Sequence, residues 1–284
     1  MKQLLILATT ALSLLLLSTT SCGWWVKGHG TIAEAACRIL PEDMPAFFRA
    51  GARQLNHLAG EPDRFKNKAA DFLRIPEAPD HYIDLEEFGG ETLPRDRFKA
   101  MDLAKKRGVT HEKAGYLPYA IMEHHDRLAC AFYDYRKEPD NEAVRMKCLV
   151  YAGVLSHYTG DACMPLHSTR DYDGRMGING TLQQKGIHAK IDGFPETFGF
   201  TAEELSRNLT LNKLEDPWAH VLQVILDSHH QVEKCYEIDI AGGFDKPTEE
   251  SRAFIVKHTR RATQFTAEMW YHAWIKSATM PPPY

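Results

Sequence analysis

The chain has 284 residues, 44% of them hydrophobic and 25% charged, enough length and apolar content for a full buried core. Its formal net charge of −4 at pH 7 excludes the broad positive field that sequence-independent duplex binding requires. A polynucleotide substrate would have to be held locally, by metal ions and stacking.

Residues 1–23 read as a processing signal. Lys2 supplies a positive start, Leu4 to Leu17 an apolar segment, and Ser21-Cys22-Gly23 the small residues of a cleavage site after Gly23. The mature chain is therefore expected to begin at Trp24 and to be exported, periplasmic or secreted. Cys22 leaves a second reading open, a lipid anchor on an acylated cysteine, although Thr19-Thr20-Ser21 lacks the leucine usual before such a site. No later run is long and apolar enough to span a bilayer. After cleavage five cysteines remain, Cys37, Cys130, Cys148, Cys163 and Cys235, with no CxxC spacing; no disulfide is assigned.

From Gly28 onward the periodicity is helical. Ala33, Ala36, Cys37 and Ile39-Leu40 form an apolar stripe, and Pro41-Glu42-Asp43 breaks it before a helix over 44–58. Residues 59–93 read as loop around a short helix at 63–72. Helices follow at 95–106 and 114–135, the second with Leu117, Ile121, Leu128 and Phe132 on its core face. The run 141–163 is apolar nearly all round and should be central. Residues 168–200 are polar and Gly-rich and read as a long loop, and a loop of that length is usually functional or disordered. Helices at 202–207, 217–236 and 247–277 close the chain, with Pro217 and Pro247 in first turns. The expectation is a single all-α domain over residues 24–284, with no internal repeat and no linker.

The chemistry concentrates in His157-Tyr158-Thr159-Gly160-Asp161-Ala162-Cys163-Met164-Pro165-Leu166-His167. Residues four apart share a helix face, so His157 and Asp161 can reach one ion, while Pro165 ends the helix and frees His167 to turn toward another. His188 and Asp192 repeat the four-residue spacing. His29, Asp63 and His81 are further candidates, each ordinary by itself: a lone aspartate commonly caps a helix, and a lone histidine commonly sits on a surface.

Together these pieces resemble, in order and spacing, the superfamily of trinuclear zinc phosphodiesterases that contains single-strand-specific nucleases and bacterial zinc-dependent phospholipases C. The matching segments are Trp24 with His29, Asp63 in its short helix, His81-Tyr82-Ile83-Asp84, the stretch from His157 to His167, and His188 with Asp192. They span residues 24–192. The resemblance implies an all-α fold and three Zn2+ ions. One would be held by Asp63, His81, His157 and Asp161, a second by His167, His188 and Asp192, and a third by the α-amine and carbonyl oxygen of Trp24 with His29 and Asp161. It also implies that Asp63 orients or deprotonates the attacking water. Lys66 stands where the nucleases carry an arginine against the phosphoryl group, and supplies a point charge without the bidentate fork.

On the resemblance, the expected substrate is single-stranded nucleic acid or a nucleotide, cut to 5′-nucleotides by a nuclease/3′-nucleotidase. Tyr82 would stack on a base and Asp84 would bond its edge. The alternative is a phospholipid head group. The short Trp24-to-His29 interval, Asp192 as last ligand, and Lys27 where the phospholipases place a carboxylate against choline favour the nucleases; Gly186-Ile187-His188-Ala189-Lys190 looks closer to the phospholipases, and the nucleases' Gly-Gly-Asn segment is missing. A third reading is a non-catalytic exported zinc-binding protein. No stable protein partner is implied, and a monomer is expected.

Overall fold

The computed structural model describes residues 24–283. The processing signal read in 1–23, Cys22 included, lies outside the described residues. The fold is all-α, as expected. Among the described residues the strands are Arg175–Met176 (β1) and Leu182–Gln183 (β2), antiparallel with Arg175 opposite Gln183.

Val26–Arg38 (α1) is followed by the short Ala46–Ala50 (α2), Ala52–Leu58 (α3), Glu61–Phe65 (α4) and Asp71–Glu77 (α5). Arg97–Lys106 (α6) and His111–Ala114 (α7) lead into the long Leu117–Lys137 (α8) and Glu142–Asp161 (α9). Ile187–Thr197 (α10), Ala202–Ser206 (α11), Pro217–His229 (α12), Val232–Ile240 (α13) and Glu249–Ser277 (α14) complete the helices. Their starts are chemically marked. Asn141 accepts from the backbone N–H groups of Ala143 and Val144, Asp216 from those of Trp218 and Ala219, and Thr248 forms a reciprocal box with Ser251. Each such cap stabilises a helix by about 1 kcal/mol.

Helix α9 is the axis of the packing, with α8, α3, α14 and α1 against it. Its all-round apolar character follows from that position: Cys148, Ala152, Leu155 and Tyr158 are fully buried. A Cβ at Gly153 would lie 2.3 Å from that of Leu58, so α3 approaches closer than any side chain there would allow. On the α14 side, Trp270 Nε1 donates to the Ala152 carbonyl at 3.0 Å and Thr159 meets Thr266 at 2.7 Å. The predicted core face of α8 (Leu117, Ile121, Leu128, Phe132) is wholly buried.

Several predicted boundaries are corrected. The helix expected over 44–58 is broken at Gly51 into α2 and α3, and the one over 63–72 is two helices, α4 and α5. In the 114–135 region, Gly115 at φ +71° separates α7 from α8, and the run 217–236 divides into α12 and α13. Apolar periodicity continues across such breaks while the hydrogen-bond ladder does not. The largest miss is 168–200, expected as a loop. It contains the β1–β2 hairpin and α10, whose buried Ile187, Ile191 and Phe194 were masked by the surrounding glycine and polar residues. Pro247 precedes the cap Thr248 and does not stand in the first turn. Cys37, Cys130, Cys148, Cys163 and Cys235 are all free thiols.

Candidate metal centre

The C-terminal turn of α9 brings His157 and Asp161 to one face, both with no exposed surface. Helix α1 lays His29 beside them. Its ring stacks on that of His157, with centroids 3.8 Å apart, and its Nε2 lies 3.3 Å from Asp161 Oδ1. This approach depends on Gly160, where a Cβ would come within 2.7 Å of His29 Nδ1. Trp24, fully buried, donates its indole N–H to the Gly160 carbonyl at 3.1 Å, and Trp25 N donates to the Asp192 carbonyl at 3.2 Å. The start of the described chain is thus tied to both α9 and α10.

Other elements complete the cluster. His81 ends the short 3₁₀ turn Ala78–His81 and His167 lies in a second, Pro165–Ser168, which follows α9 after a bend at Pro165. The two segments are joined, Ile83 N to His167 O at 2.9 Å. His188 and Asp192 stand one turn apart on α10 with His188 Nε2 3.3 Å from Asp192 Oδ2, and Asp63 comes from α4. Three groups of His and Asp atoms lie close enough together to hold a metal ion: His29, His157 and Asp161; Asp63, His81 and His157; and His167, His188 and Asp192.

Tautomers fix the direction of the lone pairs. His157 Nδ1 donates to the Ala59 carbonyl at 2.8 Å and His167 Nδ1 to the His81 carbonyl at 2.7 Å. In each neutral ring Nε2 is therefore an acceptor. These acceptors converge on other ligand-type atoms: His157 Nε2 is 3.0 Å from His81 Nδ1 and 3.4 Å from Asp161 Oδ2, and His167 Nε2 is 2.9 Å from His188 Nε2. A backbone carbonyl on the far nitrogen is the usual way a metal-binding imidazole is oriented. His81 Nε2, both ring nitrogens of His29, and one carboxylate oxygen of Asp161 are buried without a hydrogen bond. Buried polar atoms left unbonded cost about 1–3 kcal/mol each, so their convergence fits the donor set of zinc.

Electrostatics agree with that fit. Burial lowers His81 to about 3 and holds His157, His167 and His188 below the usual imidazole range, so all four rings are neutral near pH 7. Burial opposes the charge on Asp161. The surrounding imidazoles, His157 and His167 foremost with His29 and His81 beside them, outweigh it and hold that carboxyl well below the carboxylate range. Asp63 is pushed up to about 8 by burial and by the charge of Asp161. Burial brings Lys66 down to about 8 against the pull of Asp161, Asp192 and Glu77, and its Nζ lies 2.7 Å from Asp63 Oδ1.

His81, His167 and His188 also line a cavity of about 560 Å³. Lys66, Tyr82 and Asp84 form part of the same wall, while Lys27 is exposed on α1 and does not line it. Burial, then Glu86 and Glu87, push Asp84 up to about 7. Every sequence-predicted site residue thus falls in the cluster or on the cavity wall, except Trp24, which packs against Gly160 beside His29. Several residues were not singled out in advance, Glu87, Glu112, Lys113 and Asp171 of the cavity wall among them. Tyr172 and Arg170 line the cavity, and Glu77 accepts from Tyr158 Oη with its Oε1 3.8 Å from His81 Nε2. The Glu77-to-His81 spacing of four was legible; Arg170 and Tyr172 lay in a stretch read as undifferentiated loop.

No family model matches the chain, and no curated protein matches it. Among solved structures it is similar to the alpha toxin of Clostridium absonum, with 12% identity over 90% of this chain and a TM-score of 0.44. The alpha-toxin from an avian strain of Clostridium perfringens matches at 13% identity over 92% of this chain, with a TM-score of 0.43. The chain spans 65% of the length of the first and 67% of the second.

Proposed function

We propose that this protein is a zinc-dependent hydrolase of phosphodiester bonds. The observation that carries the reading is the set of three His/Asp groups gathered around His157 and Asp161, with imidazole acceptors aimed inward and three of the imidazoles on the wall of a substrate-sized cavity. His29, Asp63, His81, His157, Asp161, His167, His188 and Asp192, with the Trp24 terminus, would hold three ions. Bound zinc supplies an acidified water and positive charge opposite a phosphoryl group. The chain's own part is to position and to carry protons. Asp63, with its raised affinity for a proton, orients the attacking water and accepts its hydrogen. Lys66 places its ammonium against a non-bridging phosphoryl oxygen.

The cavity wall supports a phospholipid head group as substrate over a polynucleotide. Asp84, Glu87, Glu112 and Asp171 stand against Lys66, Lys113 and Arg170, with Tyr82 and Tyr172 among them. Carboxylates beside aromatic faces suit a quaternary ammonium and repel a polyanionic strand. Lys27, which in sequence argued against choline, is not part of that wall. The nuclease reading keeps one specific support: Tyr82 and Asp84 both line the cavity, as base stacking and edge recognition require. We further propose that the mature chain is exported, begins at Trp24 and acts as a monomer, the lipid anchor at Cys22 being the alternative.

Purified zinc-loaded protein assayed on phosphatidylcholine vesicles and on single-stranded oligonucleotides tests the reading. Release of phosphocholine is expected. Release of 5′-nucleotides instead selects the nuclease, and turnover of neither substrate overturns the enzyme reading and leaves a zinc-binding protein.

A further inference from the structure

The wall of the cavity beside the His/Asp centre is polar, and its aliphatic side chains are those of Ala78 and Leu166. A phospholipid whose head group enters it therefore leaves its acyl chains outside, at the mouth. Pulling the whole lipid out of a bilayer would expose every methylene of those chains to water, so a site of this kind acts with its mouth against the lipid surface. The side chains around the mouth then have to meet lipid.

Two segments leave the cavity wall and return to it. Lys66 and Ala78 both line the cavity, and α5 lies in the chain between them; Tyr172 and His188 both line it, and the β1–β2 hairpin lies between those two. Helix α5 buries none of its residues, yet it carries Phe72, Leu73 and Ile75, all exposed and Phe72 fully so. On the hairpin Met176 and Leu182 are exposed, and Ile178, between the two strands, is fully exposed. With Tyr172 before the hairpin, these side chains are half of the exposed large hydrophobics among the described residues. Apolar side chains exposed singly are ordinary, whereas a concentration of them at the rim of a site marks a surface with a partner.

The charges of the two segments suit a lipid partner. Residues 176–184 contain no charged side chain. Arg74, between Leu73 and Ile75, is held by Asp71 at 3.0 Å, and Arg175 by Glu233 at 3.0 Å. We propose that α5 and the β1–β2 hairpin dock this protein on a zwitterionic lipid surface, with Phe72 and Ile178 inserted among the lipids beside the cavity mouth. The inference rests on the phospholipid reading of the site. It adds that turnover is interfacial, so that lipid packed in a bilayer is cleaved faster than the same head group on a dissolved lipid.

Docking is measured by sedimenting the zinc-loaded protein with vesicles of a phosphonate analogue of phosphatidylcholine, whose P–C bond replaces the scissile ester and prevents turnover. Turnover is measured separately, on phosphatidylcholine vesicles and on short-chain phosphatidylcholine kept below its micelle concentration. Phe72→Ser and Ile178→Ser replace exposed side chains outside the cavity wall, which spares the fold and the chemistry. Each is expected to lower vesicle partitioning and vesicle turnover roughly tenfold or more, the worth of one inserted apolar side chain, while turnover of the dissolved lipid stays at the wild-type level. Partitioning unchanged in either variant overturns the proposal, as does an equal loss of turnover on vesicles and dissolved lipid. A dimer that dissociates in these variants while partitioning stays unchanged assigns the surface to a second copy of the chain and overturns it too. Failure of the phospholipid reading looks different: the wild type then cleaves neither lipid, and partitioning of the wild type and variants still decides the docking.

Discussion

Asp161 is the carboxylate on which the centre turns, and Asp161→Asn isolates its charge while keeping its shape. Oδ1 lies 3.3 Å from His29 Nε2, and Oδ2 lies 3.0 Å from His81 Nδ1 and 3.4 Å from His157 Nε2. Both oxygens thus face ligand atoms, and they belong to different groups. An amide loses the anion that a divalent ion needs and turns an N–H2 toward one of the two groups. Outer partners of a metal commonly change affinity 10–100-fold, so an inner carboxylate should change it by at least about 100-fold at each group. That is about 2.7 kcal/mol per ion. At saturating zinc, metal-linked stabilisation should therefore fall by about 5 kcal/mol. The apo protein should also lose some stability, because the imidazoles around Asp161 favour its charged form; the metal-linked part is the difference between the losses with and without zinc. Zinc stoichiometry after dialysis against a weak chelator, with thermal unfolding in the presence and absence of zinc, reads both effects. His188→Ala is the control and should empty only the group it shares with His167 and Asp192. Equal zinc loss from the two variants, or full zinc retention by Asp161→Asn, would refute the division of labour assigned here.

Gly160→Ala drives a methyl to 2.7 Å from His29 Nδ1. It should displace the ring, cost about 1–3 kcal/mol of overpacking and lower zinc content, as read by unfolding and metal analysis; unchanged zinc content would argue against the dependence of His29 on this glycine. Lys66→Met should leave zinc content intact and reduce kcat by about tenfold or more, the worth of one charge-assisted contact to the phosphoryl group. Full activity in Lys66→Met would assign the lysine to the fold. Acid should weaken the apo protein through histidines outside the centre. Burial sets His124 at about 3 and His258 at about 4, below the ordinary value near 6.5. The unfolded chain therefore binds more protons in the intervening window, and stability present above pH 6.5 is lost as pH falls toward the folded values. By pH 5 the loss is about 2 kcal/mol per ring. Urea midpoints at pH 7 and pH 5 measure it, and a smaller drop in His124→Phe is expected; identical midpoints at the two pH values would contradict the burial assigned to these rings.

Much of the centre was legible because it is local. His157 with Asp161 is an intrahelical pair whose shared face follows from helix geometry alone, and His188 with Asp192 repeats its spacing. Pro165 announced the bend that turns His167 inward. What the chain did not disclose was which pairs meet. His157 stands in two of the three groups, with His29 on one side and Asp63 and His81 on the other. That sharing is set by how α1, α4 and the 3₁₀ turn at His81 pack on α9, and depends on Gly153 and Gly160, whose importance appears only when Leu58 and His29 are in place. Helix α10 escaped notice for the opposite reason: its apolar face is short, and its flanks are rich in glycine and polar residues.

The substrate side of the site behaves differently from the metal side, and the contrast has a physical cause. Ligands to an ion must be few, specific and close, so their types and spacings survive in the sequence as a pattern. A recognition wall needs only the right net charge and surface, and residues far apart can supply it. Lys27 follows Trp24 closely in sequence, yet its side chain lies outside the cavity; Glu112, distant in sequence from the ligands, lines it. The Tyr82 hydroxyl, bonded to the Glu112 carbonyl, fixes an aromatic ring beside that acidic stretch. Inference from ligand spacing therefore reaches the metal centre, while inference about the substrate has to start from the wall, where four carboxylates and three cations from separate segments meet.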